Sequence, residues 1–290
     1  MASYGQRVLV EDASGERRLC ILSGRRLRAV CGDRVAWQLP VDDGDGIVTE
    51  ILPRNTELLR PDKQGRVEVI AANLTRLLAV AAPKPAPDPF MMDRYLAAGV
   101  FMDITPVIVF NKIDLFRETS DTWGDLSDFE RIGYAVIRAS AKTGEGLEEL
   151  LGLLEGHTAI LVGQSGVGKS SLLNALVPEA DAATKALSKS SGEGRHTTSA
   201  SVLHRLPGGG AIIDSPGVRD YAPAPVPATE VVRGFVEFLE PADRCRFGNC
   251  MHLREPDCGV KQAVDEGIIN PRRYESYRRL VALMKKFEAR

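Results

Sequence analysis

A glycine-rich segment between an apolar strand and a helix constrains the fold of this chain more than any other feature. Residues Gly163–Ser170 read Gly-Gln-Ser-Gly-Val-Gly-Lys-Ser and fit the phosphate-loop pattern G-x-x-x-x-G-K-[ST]. The apolar run Ala159–Val162 precedes them, and a helix is predicted over Lys169–Leu176. The glycines allow backbone N–H groups to point at phosphate oxygens beside the positive end of that helix. This context predicts a nucleoside triphosphate site on an α/β fold rather than a chance glycine-rich loop.

Two side chains of this loop have specific expected roles. We expect Lys169 to neutralise the β- and γ-phosphates, which makes it a catalytic candidate, and the Ser170 hydroxyl to bind Mg²⁺. The other expected nucleotide contacts come from the loop and the start of the helix: Gly163, Gln164, Ser165, Gly166, Val167, Gly168 and Ser171.

From Leu74 onward, apolar strands alternate with helices along the chain. This alternation is typical of a mostly parallel sheet that helices cover on both faces. The predicted strands are Leu77–Ala82, Pro106–Phe110, Tyr134–Ser140, Thr158–Val162, Val202–Leu206 and Ala211–Asp214. The predicted helices are Phe90–Met102, Leu147–Leu154 and Lys169–Leu176. Since open α/β sheets bind ligands at the carboxyl ends of their strands, motifs that follow these strands are candidate site residues.

The tetrapeptide Asn111–Asp114, Asn-Lys-Ile-Asp, follows a predicted strand and indicates which base is bound. The Asp114 carboxylate can accept hydrogen bonds from both N1–H and the 2-amino group of guanine. Adenine lacks that pair of donors, so an ATPase is disfavoured. We expect Asn111 and Lys112 to support the base and the phosphate loop, and Ile113 to contribute to the same nucleotide contact.

Two further motifs also follow predicted strands. Ser140–Lys142, which reads Ser-Ala-Lys, resembles the loop of guanine-nucleotide proteins that places a backbone N–H near the base oxygen, here centred on Ala141. Asp214–Gly217, which reads Asp-Ser-Pro-Gly, resembles their D-x-x-G element. By that resemblance Asp214 would hold Mg²⁺ through water and the Gly217 N–H would contact the γ-phosphate. A strand end followed by a proline turn is the alternative interpretation.

The order of these motifs is rotated. Ordinary guanine-nucleotide proteins run phosphate loop, D-x-x-G, N-K-x-D and then S-A-K, whereas here N-K-x-D and S-A-K precede the phosphate loop. Only Glu155–His157 separates the predicted helix Leu147–Leu154 from the phosphate-loop strand. This short joint predicts a circular permutation, in which the old termini are fused and new ones open elsewhere while the sheet is unchanged.

The first part of the chain reads as short β-strands separated by turn signals. A short chain with four or five strands most easily closes its edges as a small barrel. We expect an OB-like barrel, although the pattern fits any small β-barrel. The basic run Arg25–Arg28 in it is a candidate RNA contact through backbone and shape. The predicted strands are Gln6–Val10, Arg17–Ile21, Asp33–Trp37 and Gly46–Leu52.

Four metal-binding side chains cluster near the C-terminus. Cys245, Cys250, His252 and Cys258 lie within 14 residues. Three thiolates and one imidazole suit a closed, tetrahedral, structural zinc site, and reduced unligated thiols are the alternative. The chain is thus predicted to be multidomain, with an OB-like barrel over 1–70, a circularly permuted α/β P-loop domain over 71–222 and an α-rich zinc-binding domain over 223–290.

Together these residues resemble the bacterial ribosome small-subunit-dependent GTPases, the circularly permuted RsgA (YjeQ) family. The resemblance covers nearly the whole chain and includes Cys31–Val35, Ala72–Asn73 and Gly192–Thr198, although Leu74–Thr75 lacks the acidic residue usual there. It implies a GTP hydrolase that is slow alone, is stimulated by the small ribosomal subunit and assists late maturation of that subunit. The small subunit with its rRNA, and GTP or GDP, are the implied partners.

The group that activates water for hydrolysis is a separate hypothesis. Val218 stands where many GTPases carry the glutamine that orients the attacking water. We expect His196 to take this role when the ribosome orders its loop, and a solvated or RNA-contacting histidine is the alternative. Thr197 or Thr198 is expected to bind Mg²⁺, and Thr198 is favoured.

Composition narrows the setting of this activity. The net charge of −2 excludes a globally basic nucleic-acid binder but allows a local basic face. The tail Arg272–Arg290 is such a face and a candidate rRNA contact, with a merely solvated helix as the alternative. No apolar run approaches the roughly 20 residues that span a bilayer, and no secretion signal is recognisable. We therefore expect a cytoplasmic monomer without a membrane partner. A GTP-gated module on a non-ribosomal RNA is the competing function.

Overall fold

The computed structural model of the chain describes residues 3–4, 7–24, 27–40, 44–61, 66–118, 124–177, 201–215 and 224–289. Its strands are β1 (Ser3–Tyr4), β2 (Arg7–Glu11), β3 (Arg17–Leu22), β4 (Val35–Gln38), β5 (Gly46–Ile51), β6 (Glu57–Pro61), β7 (Val67–Ala72), β8 (Arg76–Ala81), β9 (Thr105–Phe110), β10 (Ala135–Arg138), β11 (Thr158–Val162), β12 (Val202–Arg205) and β13 (Ala211–Asp214). Its α-helices are α1 (Pro89–Phe101), α2 (Gly124–Ile132), α3 (Leu147–Leu154), α4 (Lys169–Leu176), α5 (Leu239–Ala242), α6 (Gly259–Asp265) and α7 (Pro271–Glu288). Short 3₁₀ helices cover Ile113–Glu118, Ala228–Gly234 and Val236–Phe238.

The first five strands form one sheet in the order β1-β2-β3-β5-β4. Strands β3 and β5 pair in parallel, and the other neighbours are antiparallel. Val8, Val10, Cys20 and Val48 are buried in its core, where Cys20 acts as a small apolar side chain. A five-stranded, partly open arrangement of this kind is that of the OB-like barrel predicted from the sequence.

The start of β4 differs from the prediction for a definite reason. The sequence predicts a strand from Asp33, but β4 begins at Val35. The Asp33 carboxylate instead accepts hydrogen bonds from Val30 N at 2.8 Å and from Arg54 Nε at 2.7 Å. These contacts of the buried Asp33 carboxylate fix the turn before β4. Strand pairing therefore begins at Val35, two residues after Asp33.

The hairpin β6–β7 is absent from the predicted strands. Its two strands pair antiparallel, and Pro61 together with the neighbouring charged residues breaks the apolar alternation by which strands are recognised. Strand β7 continues past residue 70, and Leu58 and Ala71 pack in the same buried cluster as the central sheet. The hairpin therefore lies between the barrel and the central sheet.

The central sheet has six strands in the order β10-β9-β8-β11-β13-β12. All neighbours are parallel except the edge pair β12–β13. Successive buried residues of β8 alternate between its faces: Leu77 packs in one apolar cluster with α1 and α2, and Leu78 in another with α3 and α4. The sheet is thus covered on both faces, as the sequence predicts.

The C-terminal part is a helical unit. Phe235, Phe238, Tyr277 and Met284 are among the buried side chains of its core. Helix α7 begins after Asn270, whose side chain accepts a hydrogen bond from Arg272 N at 2.9 Å, and proline follows at the first helical position. Within the described residues, no helix has both the length and the apolar character needed to cross a bilayer.

An ion-pair cluster joins α7 to α1. Arg273 is completely buried and donates to Asp93 Oδ1 at 2.6 Å and to Glu237 Oε1 at 2.7 Å. Arg272 donates to Asp93 Oδ2 at 2.5 Å. The expectation that the whole tail Arg272–Arg290 forms an exposed basic face is therefore wrong for Arg273, because Asp93 and Glu237 draw it into the interior.

Candidate functional site

The phosphate loop connects the carboxyl end of β11 to the start of α4. Gly163, Gly166 and Gly168 have φ angles of +146°, +85° and +93°, which side chains other than glycine rarely adopt. A Cβ atom at Gly168 would lie 2.5 Å from Asn111 Nδ2. The glycines are therefore required both for the curl of the loop and for the close approach of the neighbouring strand end.

The two reactive side chains of this loop stand at the first turn of α4. Lys169 Nζ donates to the carbonyl oxygens of Gly163 at 2.6 Å and Gln164 at 2.8 Å, so the ammonium group already lies across the loop. Ser170 and the next residue, Ser171, are exposed at the helix start. A glycine cradle, a helix N-terminus and a lysine facing the loop together suit a polyphosphate.

Asn111 holds the phosphate loop and the Ser140–Lys142 loop together. Its side chain is almost completely buried. Nδ2 donates to Val167 O at 3.0 Å, while Oδ1 accepts from Ala141 N at 3.1 Å. One amide therefore fixes the separation between the loop after β10 and the loop after β11.

The next residue of the same motif also contacts the phosphate loop. Lys112 has a left-handed backbone, with φ +63°. Its Nζ donates to Gly166 O at 2.5 Å and to Lys84 O at 3.0 Å. A left-handed backbone is energetically unfavourable for lysine, and these two hydrogen bonds offset that cost.

Asp114 contacts the Ser140–Lys142 loop. Its Oδ1 accepts a hydrogen bond from Ser140 Oγ at 2.7 Å, and its Oδ2 lies 3.9 Å from Lys142 Nζ. Beside it opens a cavity of about 910 Å³, which Ile113, Asp114 and Lys142 help to line. The carboxylate is thus held in one orientation at the edge of open space, where it can accept hydrogen bonds from a ligand.

The D-x-x-G segment begins at the end of β13, beside the phosphate-loop strand β11. Asp214 is half-buried and pairs across the hairpin with Val202, and Ser201 Oγ donates to Ser215 Oγ at 2.8 Å. Four other predicted site residues lie outside the described residues: His196, Thr197, Thr198 and Gly217. The motifs that the structure does describe all follow parallel strands, so they meet at one edge of the sheet.

The four C-terminal ligand candidates converge. The ligand atoms of Cys245, Cys250, His252 and Cys258 all lie within 4.8 Å of one another. His252 Nδ1 is 3.5 Å from the sulfurs of both Cys245 and Cys258, and those sulfurs are 3.8 Å apart. Four donor atoms at these separations can all contact one central ion, so they form a possible metal site.

Neighbouring residues hold this cluster in place. Tyr274 Oη donates to His252 O at 2.6 Å, and Tyr277 Oη donates to Met251 O at 2.8 Å. Glu255 accepts hydrogen bonds from three backbone N–H groups of the same loop, at 2.9 to 3.2 Å. Burial alone would raise the pKa of Glu255, but these backbone donors lower it to about 2. The loop around the cluster is thus fastened to α7.

A strand, a phosphate loop and a helix, with the N-K-x-D and S-A-K loops earlier in the chain but adjacent in space, define a circularly permuted P-loop GTPase. The family model described as RsgA GTPase matches residues 51–223. The chain belongs to the RsgA GTPase family, and it is a GTP hydrolase.

Relatives and solved structures match this chain over almost its whole length. The small ribosomal subunit biogenesis GTPase RsgA of Azotobacter vinelandii is 42% identical over 288 residues, and the match covers 97% of this chain and 84% of the length of that protein. The protein of that name from Pseudomonas aeruginosa is 42% identical over 286 residues, covering 98% and 84%.

Two solved structures have the same fold. YjeQ from Thermotoga maritima superposes with a TM-score of 0.76 at 33% identity, over 96% of this chain and 94% of that one. YloQ, described as a circularly permuted GTPase, gives 0.77 at 29% identity, over 98% and 93%. The predicted fold class, an OB-like barrel, a permuted α/β GTPase domain and an α-rich domain with a metal-binding cluster, is confirmed.

Proposed function

We propose that this GTPase acts in the biogenesis of the small ribosomal subunit, and that it binds GTP along the carboxyl edge of its central sheet. The observation that carries the binding proposal is the Asn111 amide, which joins the phosphate loop to the Ser140–Lys142 loop. A purine triphosphate has its base and its phosphates at opposite ends, so the protein needs two contact regions at a fixed separation to bind it. Family membership and the names of the RsgA relatives support the ribosomal role.

In this proposal the base end of the nucleotide is bound by Asp114. Its Oδ1 is held by Ser140, which keeps the carboxylate turned toward the ligand space, where it accepts from guanine N1–H and the 2-amino group. The backbone around Ala141 lies near the base oxygen. Ile113 and Lys142 border the same space.

The phosphate end is bound by the glycine loop. Lys169 exchanges its bonds to two loop carbonyls for the β- and γ-phosphate oxygens, which stabilises the charge that develops during transfer. Ser170 and Thr198 would hold Mg²⁺ directly and Asp214 through water. The Gly217 N–H would meet the γ-phosphate.

The division of the chain follows the same proposal. Residues 1–70 form an RNA-binding barrel, 71–222 the GTPase domain and 223–290 a zinc-binding domain. The protein works as a monomer in the cytoplasm and contacts rRNA. Binding of GTP favours the subunit-bound state, and hydrolysis releases the hold on the subunit.

The proposed function is tested by the GTPase rate with and without purified small subunits. We expect the subunits to raise kcat, and the His196→Ala variant to lose roughly 10²- to 10⁴-fold of the stimulated rate while its GTP affinity is unchanged. The physical reason is that a positioned imidazole orients or activates the attacking water only when its loop is ordered.

His157→Ala is the matched control, since His157 contacts Thr75 and Arg76 at the opposite edge of the sheet. Its stimulated rate should equal that of the wild type. Absence of any stimulation in the wild type would contradict the ribosomal role. An unchanged rate in His196→Ala would contradict only the assignment of that histidine.

We further propose that the C-terminal cluster binds one Zn²⁺ through Cys245, Cys250, His252 and Cys258. Two sulfurs at about 2.3 Å from a tetrahedral Zn²⁺ lie roughly 3.8 Å apart. The Cys245 and Cys258 sulfurs have that separation, 3.8 Å. The ion would be structural, because four protein ligands leave no open position for a substrate.

Metal analysis of the purified chain should therefore find one zinc per molecule, and Cys258→Ser should lose it. Structural zinc contributes on the order of 10 kcal/mol to the folding of small metal-binding units, so the variant should also melt at a markedly lower temperature. Cys31→Ala, which removes a buried thiol outside the cluster, should keep its zinc. A fully loaded Cys258→Ser variant would rule out this ligand set.

A further inference from the structure

The loop between Cys245 and Cys250 presents an aromatic ring beside a guanidinium group. Phe247 is 40% exposed, and the Arg246 guanidinium carbon lies 5.5 Å from the centre of its ring. Among the large apolar side chains that the described residues expose, Phe247 is the only aromatic one. The adjacent core already contains the packed rings of Phe235 and Tyr277, so this phenylalanine is one that the core leaves outside.

This ring stands on a rigid support. Both cysteines that bracket it belong to the metal-binding cluster. Phe247 O accepts a hydrogen bond from Cys250 N at 3.1 Å, and Arg246 N donates to Asp257 O at 3.1 Å. The backbone on both sides of the ring is therefore fixed before any partner arrives, which reduces the entropy lost on binding.

The charged side chains around the ring are of both signs, and exposed arginines are among them. Arg244 and Arg254 are exposed cations of the same segment. Of its acids, Asp243 is exposed beside Arg244. Asp257 pairs with Arg246 at 3.0 Å, and Glu255 accepts three backbone N–H groups. A flat ring beside a guanidinium plane, with exposed arginines nearby, suits a nucleic acid better than an apolar protein surface, because bases stack on such groups while the phosphates can meet the arginines.

We propose that Arg246 and Phe247 form a stacking site for an unpaired RNA base. The proposal rests on the proposed action on the small ribosomal subunit and deepens it, because it names the feature recognised: a nucleotide outside a duplex. The base stacks on the exposed face of Phe247, and its backbone lies toward the cations of the metal-binding loop.

The test compares three replacements of one ring. Phe247→Ala and Phe247→Leu remove the π-face, while Phe247→Trp keeps one. Affinity is measured for an unstructured RNA of about ten nucleotides and for purified small subunits. Loss of one stacked base should weaken binding roughly 5- to 150-fold in the alanine and leucine variants and leave the tryptophan variant close to wild type. Leu239→Ala, an exposed apolar residue of the same helical unit, is the matched control and should change neither affinity.

The salt dependence separates stacking from charge. Arg246→Gln should lower the slope of log K against log salt on the single-stranded RNA by about 0.7, if its guanidinium also neutralises one phosphate, whereas Phe247→Ala should leave the slope unchanged. Zinc content, melting temperature and basal GTPase rate of each variant verify that the fold and the nucleotide site are intact.

The two proposals fail in different ways. If the wild type binds subunits and Phe247→Ala binds them and the RNA equally well, the stacking site is refuted and the ribosomal role stands. If Phe247→Leu restores subunit binding and the RNA affinity never changes, the ring contacts an apolar protein surface, which also refutes the stacking site. If the wild type binds no subunits, the ribosomal role fails, and the RNA oligonucleotide still decides the fate of the stacking site.

Discussion

Replacing Asp114 by asparagine should move the nucleotide preference of this GTPase from guanine toward xanthine. In the binding proposal the carboxylate accepts two hydrogen bonds from guanine, whereas the asparagine amide offers one acceptor and one donor. Xanthine carries an oxygen where guanine carries its 2-amino group, so the amide matches xanthine and clashes with guanine. Charge-assisted pairs of this kind are strong, and we expect GTP affinity to fall roughly 10²- to 10³-fold while XTP gains.

The measurement is kcat/KM for both nucleotides in both proteins. Asp103→Asn serves as the control, because Asp103 is an exposed carboxylate at the opposite end of β9 and its left-handed backbone, with φ +54°, tolerates asparagine. It should hydrolyse GTP like the wild type. If Asp114→Asn kept the GTP preference, Asp114 would not face the base, and the binding proposal would be wrong at its base end.

Replacing Arg273 by methionine should cost about 3–5 kcal/mol of stability. Methionine keeps much of the apolar stem but removes the guanidinium that binds two acids. Asp93 and Glu237 would then remain beside each other with fewer partners, and Asp93 is only 1% exposed. A buried charge left without its partner is among the largest single-residue penalties in proteins.

The effect is measured as the shift in the urea unfolding midpoint. Arg279→Met is the matched control, because Arg279 also pairs with an acid, Glu275 at 3.1 Å, but does so on the exposed surface of the same helix. Exposed pairs contribute roughly 0–1 kcal/mol, so this variant should unfold close to the wild type. Similar midpoints for both variants would mean that the buried cluster does not anchor the helical unit.

The sequence predicted the central sheet well because its strands are buried on both faces. Such strands read as continuous apolar runs, as Leu77–Ala82 and Thr158–Val162 do, and they fall within a residue of β8 and β11. The motifs could be located on the sheet edge for the same reason, since each follows one of these runs.

The parts that the sequence did not predict are those set by long-range partners. Helix α2 begins at Gly124, a poor helix former, and its amphipathic character rests on Leu126, Phe129 and Ile132, which pack against the core. The inward turn of Arg273 depends on Asp93, which lies 180 residues earlier. Only an acid inside a mostly apolar helix indicates a buried contact there, and such a signal does not name its partner.

The helical unit is fastened to the central sheet at places other than its covalent connection. Its polypeptide link leaves β13 after Asp214, while Arg273 binds α1, and the main-chain oxygen of Ile268 accepts from Arg131 of α2 at 3.3 Å. The peptide chain, the Arg273–Asp93 ion pair and the hydrogen bond from Arg131 to Ile268 O therefore connect the helical unit to the central sheet and its helices at three places. The described residues that flank this link, Ser215 and Ala224, are both buried. A movement of the helical unit away from the central sheet would have to break the Arg273–Asp93 pair.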